Sequence, residues 1–198
     1  MTAMDAEVFL VRHGETAWNA EGRFQGQLDS PLTPHGREQA IQNGKLLAAA
    51  LAGRGAVAMH VSPLGRAQQT AAIVRALGTF VNSVDEPRIQ EVTTGTWDGL
   101  THDDIEAGWP GLLDGATAFD WYFRAPDGEA YEATVMRVRF WLNGLDGRVV
   151  AVSHGLLGRL IRGTYLGLSR AEALVLPVPQ DVVWRLAHGR VEALAAQL

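Results

Sequence analysis

Three short segments of the chain carry residue types that could do chemistry together. They are Leu10-Val11-Arg12-His13-Gly14-Glu15-Thr16, Ser62-Pro63-Leu64-Gly65-Arg66 and Ser153-His154-Gly155. An imidazole can act as a nucleophile, and arginine presents a planar fork to two phosphate oxygens in a way lysine cannot. Phosphoryl transfer asks for these parts: fixed donors around the oxygens, a nucleophile in line and a proton for the leaving oxygen. Each segment alone carries little, because a lone histidine is more often a satisfied structural residue. Their weight comes from where they fall.

Each segment follows a short apolar run that reads as a buried strand: 7–11, 56–61 and 148–152. Helical patterns alternate with these runs, the order of a βαβ organisation. The reading is therefore an α/β three-layer sandwich, a mostly parallel sheet with helices on both faces. Thr33-Pro34 supplies an N-cap and a first-turn proline for a helix whose buried face is Ala40, Ile41, Gly44, Leu47, Ala48 and Leu51. Ser62-Pro63 is expected to cap a second helix running to a stop at Gly78. A third is expected over about 129–143, a capping box at Ser169 to Glu172 opens a short one, and 182–194 reads as a hairpin with a glycine turn. Between Arg88 and Glu132 the periodicity fades under repeated glycines, and Trp97, Trp109, Trp121, Tyr122 and Phe123 supply apolar mass. This stretch, about 88–132, reads as an insertion or lid over the sheet edge of a single domain spanning 1–198.

Ligands of open α/β sheets bind at the carboxyl ends of the strands, so one pocket can collect Arg12, His13, Arg66 and His154. The first turns of the helices near Pro63 and Gly155 are expected to add N–H donors, each on the order of 0.3–1 kcal/mol. With 198 residues, 47% of them hydrophobic, the chain can bury one substantial core. A net charge of -5 argues against a broad nucleic-acid-binding surface. The absence of cysteine excludes thiolate chemistry. No leader or membrane span is read in the sequence, which favours the cytoplasm.

The blocks go further. Leu10 to Asn19, Phe24-Gln25-Gly26-Gln27, Asp29 to Thr33, Gly36, Gln39-Ala40, Ser62 to Ala67, Thr70-Ala71, Glu91, Gly95, Trp97-Asp98-Gly99 and Ser153-His154-Gly155 resemble, in order, the motifs of the histidine phosphatase superfamily, the phosphoglycerate mutase-like fold. The resemblance implies that His13 becomes phosphohistidine, that Arg12, Arg66 and His154 hold the phosphoryl oxygens, and that Glu91 is the proton donor. It places Asn19, Gln25 and Gly26 on the loop lining the phosphate pocket, with Glu15 structural.

It also implies a metal-independent phosphomonoester hydrolase without a cofactor, acting on a small-molecule phosphate ester, as a monomer or homodimer with no nucleic-acid or membrane partner. The alternatives are a cofactor-dependent phosphoglycerate mutase and, of another class, a non-catalytic phospho-ligand binding protein. Mutases of the family usually carry Arg, Tyr and Lys after the acidic residue. Here Glu91 is followed by Val-Thr-Thr-Gly-Thr-Trp, so the chain reads as poorly equipped for the second charged group of a phosphoglycerate. The aromatic content of the insertion suggests an apolar rim. His35, His60, His102 and His188 match no block and are read as structural or surface residues, and His102-Asp103-Asp104 as a helix start rather than a metal site.

Overall fold

The computed structural model describes residues 6–78, 80–117 and 119–195, so the reading of residues 1–5 as leaderless lies outside the described residues. Six strands, β1 (Glu7–Arg12), β2 (Val57–Val61), β3 (Phe80–Asp85), β4 (Arg148–Ser153), β5 (Val183–Ala187) and β6 (Arg190–Leu194), form one sheet in the order β3-β2-β4-β1-β5-β6. β1 to β4 pair in parallel, while β5 runs antiparallel to β1 and β6 antiparallel to β5. The helices are α1 (Ala17–Ala20), α2 (Pro34–Ala50), α3 (Gly65–Arg75), α4 (His102–Gly108), α5 (Tyr131–Asn143), α6 (Gly155–Leu166) and α7 (Arg170–Leu174).

Alternation along β1 builds the layers. Val8 and Leu10 pack with Val138 and Trp141 of α5 and with Leu157, Leu160 and Ile161 of α6. Phe9 and Val11 point the other way, to Leu47 of α2 and Ala67, Ala71 and Val74 of α3. A strand buried on both faces needs apolar residues at every position, so its sequence is a continuous apolar run. Each fully buried Leu or Ile contributes roughly 1.5–3 kcal/mol. The three-layer arrangement read from the sequence is the one observed.

Register then sets the site. Parallel pairing puts Arg12 opposite Ser153, and the His13 N–H extends the ladder to the Ser153 carbonyl at 2.9 Å. His13 and His154 therefore leave the sheet side by side. Behind His13 the chain passes so close to α2 that a Cβ on Gly14 would lie 2.1 Å from the Gly36 carbonyl oxygen, and one on Gly36 only 2.0 Å from that of Glu15. Two glycines thus let the loop dock on the helix start. There Thr33 caps α2 by accepting the Gly36 N–H at 3.0 Å, and its hydroxyl donates to Glu15 at 2.7 Å, which makes Glu15 a structural residue.

Several elements differ from expectation. α3 begins at Gly65, with Leu64 at the N-cap and no local side-chain cap. Its first N–H groups are met from a distance by Asp29, which accepts from Gly65 at 2.6 Å and Arg66 at 3.1 Å. Ser62 reaches only the Leu64 N–H, at 3.4 Å. The helix ends at Arg75 rather than Gly78; a Cβ at Gly78 would lie 2.8 Å from the Phe80 ring, so close packing is what that glycine serves. β3 went unread because an edge strand of Phe-Val-Asn-Ser-Val-Asp with mostly exposed residues has no apolar alternation. The hairpin turns on His188 and Gly189, both at positive φ, as a two-residue turn matched to strand twist requires. The capping boxes of α4 and α7 form at Thr101 and Ser169.

The segment from Pro87 to Ala130 contains three 3-10 turns and α4, around a small core of Trp97, Ile105, Leu113 and Ala125. It does not hang on the sheet edge. Glu91, Val92, Phe119 and Tyr122 from this segment line a cavity shared with Arg12 and Gly155, at the carboxyl ends of the strands.

Candidate active site

That cavity, about 310 Å³, is lined by Arg12, His13, Asn19, Gln25, Gly26, Arg66 and Glu91, seven of the eight residues singled out in the sequence. The eighth, His154, lies beside His13 with ring centroids 5.2 Å apart and is 1% exposed.

The protonation pattern of His13 follows from its neighbours. Nδ1 lies 2.8 Å from the Gly14 carbonyl oxygen, which can only accept, so Nδ1 carries the proton. Nε2 lies 3.3 Å from Arg66 Nε, which can only donate, so Nε2 presents its lone pair. Burial first, then the charges of Arg66 and Arg12, hold this imidazole well below the ordinary histidine range. His154 is depressed for the same leading reason, with Arg66, His13 and Arg12 adding to it. Its Nε2 pairs with the Ser62 hydroxyl at 2.7 Å, while its Nδ1 is buried without a protein partner.

The two arginines differ more than their matched positions suggest. Arg12 donates through Nη1 to the Val178 carbonyl at 2.5 Å, and its buried Nε has no acceptor. Arg66 is almost fully committed. Nη1 donates to the Leu28 carbonyl at 2.6 Å and to Asp29 at 3.0 Å, Nη2 to the Gly26 carbonyl at 2.8 Å, and Nε to His13. Of five N–H groups one remains uncommitted, so the free two-pronged fork expected at Arg66 is corrected: protein acceptors hold most of it, and Arg12 has the larger unmet capacity.

A second correction concerns the helix ends. The first-turn N–H groups of α3 go to Asp29. Those of α6 go to Glu91, whose carboxylate accepts from Leu156 at 3.2 Å and Leu157 at 2.9 Å. The positive ends of both helices attract anions as expected, but the anions are side chains of the protein. Glu91 Oε1 also accepts the Val92 N–H at 3.0 Å. Oε2 carries a single bond, which leaves it a lone pair.

Around this floor the loop residues play unequal parts. Asn19 Oδ1 accepts from the Thr16 N–H and from Gln180, both at 3.2 Å. Gln25 is buried and accepts from Ser30 at 3.3 Å. Gly26, at positive φ, meets Asp98, and a Cβ there would lie 1.7 Å from its carboxylate. Asp98, which the sequence offered as a possible substitute for Glu91, instead accepts from Gln27, Thr93 and Thr94, a tie between the pocket loop and the segment over it.

Arg159 was missed altogether. It lines the cavity from α6, four residues and hence one turn beyond Gly155, which lines it too; that spacing was the available signal. So the cations that the sequence appeared to lack opposite the acidic residue are partly supplied from another element. Tyr122 shares this wall, its phenol pushed up by burial and then by Glu91, so it stays protonated. Of the remaining histidines, His60 faces Trp141, whose Nε1 donates to its Nδ1 at 3.1 Å, and His102 stands edge-on to Trp121. Among the described residues no three His, Asp or Glu side chains gather as a metal site would require, and no helix is long and apolar enough to cross a membrane.

A paired-histidine cradle with two arginines at the strand ends of a six-stranded α/β sheet defines a phosphoglycerate mutase-like protein. The chain belongs to the histidine phosphatase superfamily (branch 1), whose family model matches residues 8–192, a superfamily of phosphatases and mutases. Among relatives, a protein named probable phosphoglycerate mutase GpmB of Enterobacter sp. (strain 638) is 39% identical over 173 residues, covering 82% of this chain and 75% of that one. Among solved structures, Bacillus stearothermophilus YhfR matches with a TM-score of 0.80 at 28% identity, covering 96% of both chains. A mycobacterial glucosyl-3-phosphoglycerate phosphatase complexed with VO3 matches with a TM-score of 0.74 at 27% identity, covering 94% of this chain and 96% of that one.

Proposed function

We propose that the protein is a metal-independent phosphomonoester hydrolase working through a phosphohistidine on His13. The observation that carries this reading is the buried, neutral imidazole set among two arginines, with Nδ1 anchored on Gly14 and the Nε2 lone pair aligned by the Arg66 Nε–H. Nucleophile and charge stabiliser are thereby held side by side before substrate arrives, and attack asks only that the 3.3 Å Arg66 contact give way to phosphorus. Arg12 Nε and His154 Nδ1 are buried polar atoms with no protein partner. Such groups are costly unless paired, and phosphoryl oxygens would pair them.

In the first step the Nε2–P bond forms as the ester P–O bond breaks, and Glu91, having taken up a proton on Oε2 with the incoming substrate, gives it to the leaving oxygen. In the second, water attacks phosphorus, its proton returns to Glu91, the N–P bond breaks and inorganic phosphate leaves. Splitting one displacement in two lowers each barrier. Asn19, Gln25 and Gly26 line the phosphoryl end of the cavity, and the segment over about 88–132 acts as its lid. The mutase reading is favoured by the names of the relatives and by Arg159 in the cavity wall.

The test is p-nitrophenyl phosphate turnover in EDTA, with acid-labile phosphate on the protein trapped by rapid quench. Wild type should turn over and carry the label. His13→Ala should carry none, lose activity by a factor on the order of 10⁵ or more and melt within a few degrees of wild type. Activity only with added metal, or label in the variant, would sink the reading. Conversion of 3-phosphoglycerate to its 2-isomer without phosphate release would select the mutase.

A further inference from the structure

Among the described cations around the cavity, Arg12 and Arg159 have no ion-pair partner, and of these Arg159 is the one outside the phosphoryl cradle. Arg66 pairs with Asp29 at 3.0 Å. Arg23 pairs with Glu21 at 3.0 Å and with Asp104 at 3.6 Å. Arg12 gives Nη1 to Val178 and belongs to the phosphoryl cradle. Arg159 is 7% exposed. Its Nε donates to the Leu176 carbonyl at 2.6 Å, and its Cζ sits 3.6 Å from the centroid of the Phe119 ring. Among the described residues neither terminal nitrogen donates to a protein acceptor and no carboxylate lies within ion-pair distance.

This guanidinium is held rather than loose. The Leu176 bond and the Phe119 face fix its plane, while Phe119 itself lines the cavity. Stacking on an aromatic face holds a desolvated guanidinium in place, and a preset fork loses little further entropy on meeting an oxyanion. Glu91, the acid sharing the cavity, already accepts two N–H groups of α6 and is not paired with Arg159. A partly desolvated arginine without a counter-charge is unfavourable by itself, and an anion brought by the ligand would relieve it.

We propose that Arg159 is the specificity-determining contact for a second oxyanion, a carboxylate or a second phosphate, carried by the phosphomonoester beyond the phosphoryl group held at His13. The proposal rests on the reading of the cavity as a phosphomonoester site. It narrows the substrate class to doubly anionic esters, and it changes what the rim is for: Phe119 serves as a platform for a cation, and apolar esters gain less than the aromatic content of the segment suggests.

Two matched pairs separate the sources of the second charge. They are 3-phosphoglycerate against glycerol 3-phosphate, and propane-1,3-diol bisphosphate against 3-hydroxypropyl phosphate. Wild type should favour the doubly charged member of at least one pair by about 10- to 100-fold in kcat/KM, the range of one charge-assisted hydrogen-bonded contact. The pair that shows the preference identifies the group. In Arg159→Gln the ratio should collapse towards one, mainly through KM, and Arg159→Lys should restore part of it. Ratios within one protein cancel general damage from losing the Leu176 tie. If wild type shows no preference in either pair, or Arg159→Gln keeps it, the subsite is refuted while the phosphatase reading stands. If no ester is turned over, dissociation constants of the same four compounds by calorimetry give the same ratios and decide the subsite independently of catalysis.

Discussion

The floor and the roof of the cavity are built on different principles. The floor, Arg12, His13, Arg66 and His154, grows from the ends of three adjacent parallel strands, so one hydrogen-bond register fixes the spacing of its groups. The roof, Glu91, Phe119 and Tyr122, comes from a segment of 3-10 turns and one short helix with a small core of its own. It is joined to the floor by apolar contacts of Ile89 and Val92 with the main core and by further ties: Glu91 to the start of α6, Asp98 to the 25–27 loop, and Phe119 to Arg159. On the proposed reading the sheet side holds the phosphoryl group. The turn-built side also rests on the main core, through Ile89, Val92, Phe119 and Tyr122, and on that reading it selects the leaving group.

The sharpest way to break that comparison is Glu91→Gln. A proton donor on the roof should matter by ~10²–10⁴ for alkyl phosphates and much less for p-nitrophenyl phosphate, whose leaving group needs no proton. Equal losses on both substrates in the rate of phosphoenzyme formation, the step in which the leaving groups differ, would remove Glu91 as the proton donor. Arg66→Lys comes next. Lysine cannot span Gly26, Leu28, Asp29 and His13 at once, so most activity should go, together with about 2–3 kcal/mol of stability. A melting temperature unchanged within a degree would show that these bonds carry no load.

Asp29→Ala tests the floor's dependence on a distant cap. It should cost about 1 kcal/mol, the usual value of an N-cap, read from urea unfolding; Asp29 is partly exposed, which keeps the effect small. The smallest effect is in pH. His13 and His154 are held below their unfolded values, so between the two values the unfolded chain binds more protons and stability rises with pH. Stability contributed by keeping both rings neutral is present above about pH 6.5 and falls on acidification below it. Imidazole ¹⁵N shifts should show both rings neutral at pH 6; a ring protonated there would contradict the burial argument.

Legibility followed the range of the forces involved. The Thr33 and Ser169 caps, the run of β1 and the His188-Gly189 turn are local, and each was readable because the residues that satisfy one another lie within a few positions. The edge strand β3 was not, since its residues are half polar and bury little. At the site, His13, His154, Arg12 and Arg66 were visible by type and by position after apolar runs. Arg159 and the cap that Asp29 gives α3 were not visible, because nothing beside them in the chain reveals their partners.

The sequence by itself determined the layered α/β core, through apolar runs that fit only strands buried on both faces, and it determined which side chains stand at the strand ends. Tertiary structure alone decided how their hydrogen-bonding capacity is divided: Arg66 mostly to protein carbonyls, the α3 and α6 starts to Asp29 and Glu91, and Arg159 to no acid at all. The reason is physical. Periodicity and capping act between near neighbours, whereas the pairing of a buried charge depends on whatever the completed packing brings within about 3 Å of it.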